Sequence, residues 1–434
     1  MPLEDKPTNL IKNISKLEIW SWAMFDFANS GYTTVVITTI FNVYFVSIVA
    51  NNQDWAAFAW TATLAASYTL IIITAPIIGI YADIYAAKKR LLLFTVIGCA
   101  LFTLLLSFVG TGDLWLAILF VILANFFFGT GENIIAAFLP EIANNDSFGK
   151  ISGWGWGLGY IGGLVSLGCS FIYILWAESQ GHQPEKFIPM TLLITALLFA
   201  ISSLPTFLYL KERAQPQENI YHHNIINEVF SRLILSIKQL HNFYDLKRFL
   251  ICLVFYQAGI QTVVVITAIY AQQVMSFNYN DTILLVVLVN ITAALGAFIF
   301  GAIQDRIGHT QTIAIALIGW IIMILLAWGS QDRTTFWVAT NIAGVSLGAS
   351  QSAGRALIGY LSPALRHAEF FGLWGLAVKL SSIIGPITYG LVSWISQGDH
   401  RLAMLITSSY FIVGLLILIG VNVQRGRETA LNNN

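Results

Sequence analysis

Four ionisable side chains lie inside long apolar stretches of this sequence: Asp26, Glu132, Arg355 and Lys379. A charge at the centre of a bilayer costs at least about 3 kcal/mol, so a charge retained there is a candidate for ligand binding, ion coupling or gating. Two acids and two bases could also complement the ammonium and carboxylate of one zwitterion. The alternative is that the four charges neutralise each other and hold a helix bundle together.

Uncharged polar residues accompany these charges along the sequence. Their amide and hydroxyl groups can donate and accept hydrogen bonds, which suits a small polar solute. The same groups could instead bond one helix to another, at about 0.6 kcal/mol each. The candidate substrate or coupling residues are therefore the four charges together with Asn29, Tyr32, Asn133, Gln257, Gln261 and Gln351.

The composition is that of a membrane protein. Only 10% of the 434 residues are charged and 57% are apolar, whereas about a quarter of a soluble chain is charged. This excludes a soluble enzyme and a disordered scaffold. The 22 basic and 22 acidic residues leave no net charge, so nucleic-acid binding is not expected. The three cysteines lack metal-binding spacing, and we predict no metal and no cofactor.

Apolar stretches long enough to cross a bilayer, about 20 residues each, occur twelve times. We therefore predict an all-α integral membrane protein with twelve transmembrane helices in two parallel six-helix pseudo-repeats. The predicted parts are an N-terminal arm at 1–19, a first six-helix half at 20–210, a linker with an amphipathic helix at 211–247, a second six-helix half at 248–423 and a tail at 424–434.

The basic residues predict the orientation. Of the 22, seventeen fall on one side of the predicted spans, three on the other and two within spans. Cytoplasmic loops retain Lys and Arg, so we expect both termini in the cytoplasm. Short loops and the lack of an organelle address favour a bacterial inner membrane.

Internal repeats indicate the two halves. Val35–Phe41 reads VVITTIF and Val264–Tyr270 reads VVITAIY. The glycine and aspartate of Gly79–Asp83 return in Gly301–Asp305, 222 residues later. In transporters built from such repeats, the substrate binds between the halves near the middle of the membrane.

A constant separation of 223 residues pairs Gly149 with Gly372, and it also pairs Glu132 with Arg355. These last two residues occupy equivalent positions and carry opposite charges. The pattern favours an inter-half or gate charge pair.

A family resemblance rests on several motifs. Asp83 with Lys88, Lys89 and Arg90, repeated more weakly as Asp305 and Arg306, resembles the loop signature of the major facilitator superfamily. Five further motifs resemble its vacuolar-effluxer-like branch, which includes fungal vacuolar amino-acid effluxers associated with autophagy. They are DFANSGY at 26–32, AFLPEIA at 137–143, SGWGWGLGYIGG at 152–163, QSAGR at 351–355 and FFG at 370–372, the last continuing to Lys379 and on to Gly385-Pro386.

The resemblance implies a rocker-switch secondary transporter in which Asp83 and the basic residues after it stabilise one state of the cytoplasmic face. On this basis Asp83, Lys88, Lys89, Arg90, Asp305 and Arg306 are the candidate gating residues. The sequence departs from the signature at its second occurrence, where Gly308, His309 and Thr310 replace a basic run.

The predicted function is secondary active transport, by alternating access, of a small polar or zwitterionic solute such as an amino acid. The expected partners are this solute, H+ or Na+ as coupling ion, and the lipid bilayer, and we expect a monomer. One alternative is a transport-inactive membrane sensor or scaffold. A membrane-embedded enzyme is less favoured because the sequence has no H-E-x-x-H and no G-x-S-x-G, and a pump is disfavoured because it has no phosphate-binding loop.

Overall fold

The computed structural model describes residues 14–217 and 241–432, without the side chains of 268, 269, 279 and 280. These ranges fold into helices and the loops that join them, with no strand among them. The predicted amphipathic helix of the linker falls mainly on 218–240, outside the described residues. Most of the predicted N-terminal arm, 1–13, also lies outside them.

Six long helices form each half of the bundle. In the first half, α1 to α6 are Lys16–Val49, Ala56–Tyr85, Lys88–Leu106, Leu114–Ala136, Phe148–Ser179 and Pro184–Tyr209. In the second half, α7 to α12 are Tyr244–Gln273, Tyr279–Ile307, His309–Gly329, Arg333–Leu361, His367–Ile395 and His400–Leu418, and a shorter helix, α13, spans Val423–Asn432. Eleven of the twelve long helices are apolar enough to cross a membrane. The predicted twelve-helix fold is confirmed.

Helix α10 is the long helix that falls below the hydropathy of the other eleven. It carries the sequence GASQSAGRALIG at 348–359, and every one of these residues is buried. A helix enclosed by its neighbours needs little lipid-facing apolar surface, so its interior positions can be small and polar. Low hydropathy here therefore marks an interior helix rather than a loop.

Helix α1 is irregular in its second half. It begins at Lys16, capped by the Ser15 side chain, and contains π-helical stretches at Thr33–Thr39 and Phe45–Val49. Such bulges leave backbone carbonyls without regular partners, and they are frequent at functional sites. Here threonine hydroxyls donate to the carbonyls, as from Thr38 to the oxygen of Thr34 at 2.9 Å.

Two helix pairs join the halves, α2 with α11 and α5 with α8. Glycines make the close approach possible. A Cβ on Gly79 would lie 2.3 Å from the carbonyl oxygen of Ala368, and one on Gly153 would lie 2.4 Å from that of Ala297. Both contacts lie near the end of the bundle at which α1 begins and α12 ends, which we call the terminal face.

The contacts across the halves differ from the sequence pairing by one helical turn. Gly79 of α2 approaches Ala368 of α11, and its counterpart Gly301 of α8 approaches Gly149 of α5. The two contacts are thus related by 222 residues on α2 and α8 but by 219 on α5 and α11. The expected pairing of Gly149 with Gly372 is wrong, because four residues are about one turn and leave the same side of the helix in contact.

Candidate functional site

The first inter-half ion pair joins α4 to α11. Glu132 Oε2 lies 3.2 Å from Lys379 Nζ. The ammonium also lies 5.6 Å from the ring centre of Tyr68 and 5.5 Å from that of Phe128, at distances typical of cation–π attraction. The Glu132 side chain keeps 20% of its surface exposed. This pair is therefore made by a single hydrogen bond and still has an open side.

Unpartnered polar groups surround this pair. Neither amide atom of Asn133 has a hydrogen-bond partner among the described residues, and the same holds for Asn29 Oδ1, Tyr32 OH and Thr130 Oγ1. Asn133 faces α11, since a Cβ on Gly375 would lie 2.1 Å from its Oδ1. A buried polar group left unpaired costs about 1–3 kcal/mol. These groups are suited to water or to a polar ligand.

The second inter-half ion pair joins α1 to α10. Arg355 Nη1 donates to Asp26 Oδ2 at 2.6 Å. The same guanidinium donates from Nε to the Ser152 hydroxyl at 3.2 Å and from Nη2 to the Ser152 carbonyl at 2.9 Å. It lies 4.8 Å from the ring centre of Trp22 and 5.3 Å from that of Trp156. Its hydrogen-bonding capacity is largely used within the protein.

Glu132 and Arg355 do not pair with each other. Each belongs to a separate ion pair, and each of these pairs does connect the two halves. The expectation of inter-half charge pairs is confirmed, but the inference of a partner from equivalent sequence position was wrong. Helix packing brings α4 against α11 and α10 against α5, so neither charge reaches the other's helix.

The three predicted glutamines lie within the second half. Gln257 of α7 donates from Nε2 to Gln351 Oε1 of α10 at 2.8 Å, and the reverse bond measures 3.4 Å. Both side chains are buried. Gln261 is half-buried, one helical turn further along α7. The glutamine pair holds α7 to α10 and does not cross between the halves.

Two aspartates of the candidate gating set cap helices of the opposite half. Asp83 of α2 accepts the N–H groups of Ala368 at 3.1 Å and Glu369 at 2.8 Å, in the first turn of α11. Asp305 of α8 accepts the N–H groups of Gly149 at 2.7 Å and Lys150 at 2.8 Å, in the first turn of α5. Such N–H groups lack acceptors inside their own helix, and the helix dipole favours an anion there.

Basic residues after Asp83 act within the first half. Lys88 is buried and pairs with Glu141, while Lys89 donates from Nζ to the carbonyl of Leu210 at 2.6 Å. Arg90 is exposed. The structure thus separates Asp83, which crosses between the halves, from these neighbours, which hold α3 to its own half.

The start of the linker completes this cluster. Glu212 accepts the backbone N–H groups of Lys88 at 2.7 Å and Lys89 at 3.0 Å, and so caps α3. Burial raises the pKa of the Glu212 carboxyl above its usual range. In the second half, Arg306 is exposed beside Asp305.

Several residues of the site gave no signal in the sequence. Tyr68 and Phe128 beside Lys379, and Trp22 beside Arg355, are aromatic residues in apolar spans, where such residues are common. Ser152 and Trp156 lie in a glycine-rich motif that indicated close packing. A signal could have come from asking which rings must accompany a buried cation.

Residues 45–431 match the family model described as "Vacuole effluxer Atg22 like". The chain belongs to this family. It is 24% identical over 430 residues to the uncharacterized MFS-type transporter YxiO of Bacillus subtilis, covering 98% of this chain and 99% of the relative. It is 24% identical over 408 residues to autophagy-related protein 22 of Kluyveromyces lactis, covering 87% of this chain and 82% of the relative.

Solved structures share the fold. The human organic anion transporter MFSD10 superposes with a TM-score of 0.71 at 12% identity, covering 93% of this chain and 99% of that one. The proton:xylose symporter XylE superposes with a TM-score of 0.69 at 12% identity, covering 92% and 94%. The chain is an integral membrane transporter of the major facilitator type. The family and these neighbours are transporters, which excludes the enzyme alternative.

Proposed function

We propose that this chain is a secondary active transporter of a small polar or zwitterionic solute, with amino acids as the leading candidates. The solute would bind between the halves at Glu132 and Lys379, and access would alternate between the two sides of the membrane. The observation that carries the proposal is an inter-half ion pair with an open side and unpartnered polar groups next to it.

Charge balance favours a zwitterion. The four intramembrane charges sum to zero, since Asp26 and Glu132 offset Arg355 and Lys379. A zwitterion can place its carboxylate on Lys379 and its ammonium on Glu132 without changing that sum. A lone anion or cation would leave an uncompensated charge at membrane depth, which is strongly unfavourable.

A proton is the coupling ion that this arrangement supports. For a ligand without an ammonium group, the carboxylate of Glu132 would be left unpaired once the ligand held Lys379. Protonation of Glu132 would then restore neutrality. Uptake of an organic anion should therefore depend on a pH gradient, and binding of a zwitterion should depend on it much less.

The aspartate caps at the terminal face supply the alternation. Asp83 and Asp305 hold α11 and α5 of the opposite halves while that face is closed, and they must release these helices when it opens. The excess of basic residues on the terminal side supports a cytoplasmic position for both termini. A bacterial plasma membrane, a monomeric state and efflux, which the family description names, belong to the same proposal.

Purified protein in proteoliposomes provides the test. Radiolabelled amino acids, betaine, organic anions and sugars would be offered with and without an imposed pH gradient. The test variants are Glu132→Gln and Lys379→Met, and the matched control is Lys186→Met, which removes an exposed lysine from the loop before α6. We expect uptake of a zwitterion that both test variants lose and the control retains.

Two results would contradict the proposal. One is a folded, monodisperse parent protein that moves no solute of any class, which would favour the sensor or scaffold alternative. The other is uptake that Lys379→Met leaves unchanged, because the binding site would then lie elsewhere.

A further inference from the structure

We infer that Arg355 is a gate residue that closes the terminal face, and that the first half contains a pocket built to receive it. The pocket is formed by Trp22 and Asp26 of α1 and by Ser152 and Trp156 of α5. The inference rests on the alternating access of the proposed function but not on the identity of the solute.

The guanidinium of Arg355 has no side left for a ligand. Each of its three nitrogens donates a hydrogen bond, to Asp26 Oδ2, Ser152 Oγ and the Ser152 carbonyl. Two tryptophan rings lie against it, and only 3% of the side chain is exposed. A planar fork with its donors satisfied and its faces stacked is held as a structural contact.

All of these partners belong to the first half, whereas Arg355 belongs to the second. The side chain therefore crosses the boundary between the halves. Arg355 lies six residues from the end of α10 at Leu361, while Lys379 lies twelve from the start of α11 at His367. At about 1.5 Å per residue, Arg355 is nearer the terminal face by roughly 9 Å. Opening of that face must withdraw the guanidinium from its pocket.

The pocket shows specific construction. A Cβ on Gly155 would lie 2.3 Å from Asp26 Oδ2 and 2.4 Å from Arg355 Nη2, so only glycine leaves room for the ion pair. The indole of Trp22 is fixed in turn, because its Nε1 donates to the carbonyl of Ile135 on α4 at 2.8 Å. The pocket is therefore braced by a third helix of the first half.

The two inter-half ion pairs consequently differ in role. The pair of Glu132 and Lys379 has one hydrogen bond, an exposed fifth of the acid and unpartnered amides nearby. The pair of Asp26 and Arg355 has neither an open side nor a free donor nitrogen. We assign ligand binding to the first pair and gating to the second.

The separation of two spin labels across the terminal face tests this assignment without any substrate. Labels would be placed at Asn144 and Leu365, which are exposed in loops of opposite halves, after replacement of the three native cysteines. Pulsed dipolar spectroscopy then reports whether the terminal face is closed or open.

The variants are chosen to separate loss of the contact from loss of the fold. Arg355→Gln removes the charge, Arg355→Lys keeps the charge without the fork, and Gly155→Ala fills the space that the guanidinium needs. The matched control is Gly168→Ala on the same helix, where a Cβ would meet nothing within 4 Å.

We expect Arg355→Gln and Gly155→Ala to populate a longer distance, roughly tenfold or more above the parent, with Arg355→Lys between them and Gly168→Ala unchanged. The inference is overturned if Arg355→Gln and Gly155→Ala are monodisperse and keep the parent distance. An unchanged distance together with lost uptake would instead make Arg355 a ligand for the solute. Failure of uptake in the parent would contradict the proposed function but would leave this distance measurement valid.

Discussion

The aspartate caps allow a quantitative prediction for Asp83→Asn. The carboxylate accepts two N–H groups of α11 from across the halves, at 3.1 and 2.8 Å. An asparagine keeps one acceptor oxygen and presents an amide donor to the second N–H. A hydrogen bond to a charged group contributes about 1.5–3 kcal/mol. The closed terminal face should therefore lose roughly a factor of 10 to 150 in population relative to the open one.

Hydrogen–deuterium exchange followed by mass spectrometry measures this change. The N–H groups of Ala368 and Glu369 have the carboxylate of Asp83 as their acceptor, so their exchange reports directly on the contact between the halves. In Asp83→Asn, exchange at 367–372 should rise by a factor of this order. Because one transition opens the whole face, exchange at 148–153, under the Asp305 cap, should rise as well.

A control variant separates opening of the face from loss of a cap. Asp332 caps its own helix α10 by accepting the N–H of Thr335 at 2.8 Å, so Asp332→Asn should raise exchange only at 333–336. If Asp83→Asn likewise raised exchange only beside the lost cap and left 148–153 unchanged, the aspartates would not hold the halves together and the reasoning would be refuted.

Three further variants have expected outcomes. Lys88→Met breaks a buried ion pair and should destabilise the protein by about 3–5 kcal/mol, seen as a lower melting temperature that Lys88→Met with Glu141→Leu largely restores; an unchanged melt would contradict the burial of that pair. Gly375→Ala places a methyl group against Asn133, where overpacking costs about 1–3 kcal/mol, so uptake should fall and recover when Asn133→Ala is added; failure to recover would point to a backbone effect. Trp22→Phe loses one indole hydrogen bond, worth about 1 kcal/mol, and should lower the melting temperature by less than Lys88→Met does.

The sequence identified the intramembrane charges but not their partners. Asp26, Glu132, Arg355 and Lys379 stand out because a charge in a bilayer is costly wherever it lies. Which acid meets which base depends on which helices touch, and that is a property of packing in three dimensions. The symmetric positions of Glu132 and Arg355 therefore gave the right residues and the wrong pair.

The aspartate caps and the aromatic residues show the same division. Asp83 and Asp305 could be found from a repeated motif, whereas their acceptance of α11 and α5 backbone groups needed the approach of the helices. Tyr68 could not be found, since a tyrosine in an apolar span is ordinary until a lysine is placed against its ring. Local pattern thus predicted residue types and helix number, and tertiary contacts decided partners.

The displacement of α5 relative to α11 by one turn says something about how two copies of one unit can diverge. Adding or removing a residue or two would rotate every later side chain by 100 or 200 degrees and turn its polar positions toward lipid. A change of about one full turn lengthens or shortens the rod and leaves the orientation of its side chains nearly intact. Length variation between duplicated halves of such proteins should therefore occur in whole turns, and alignments of them should tolerate gaps of three or four residues inside helices.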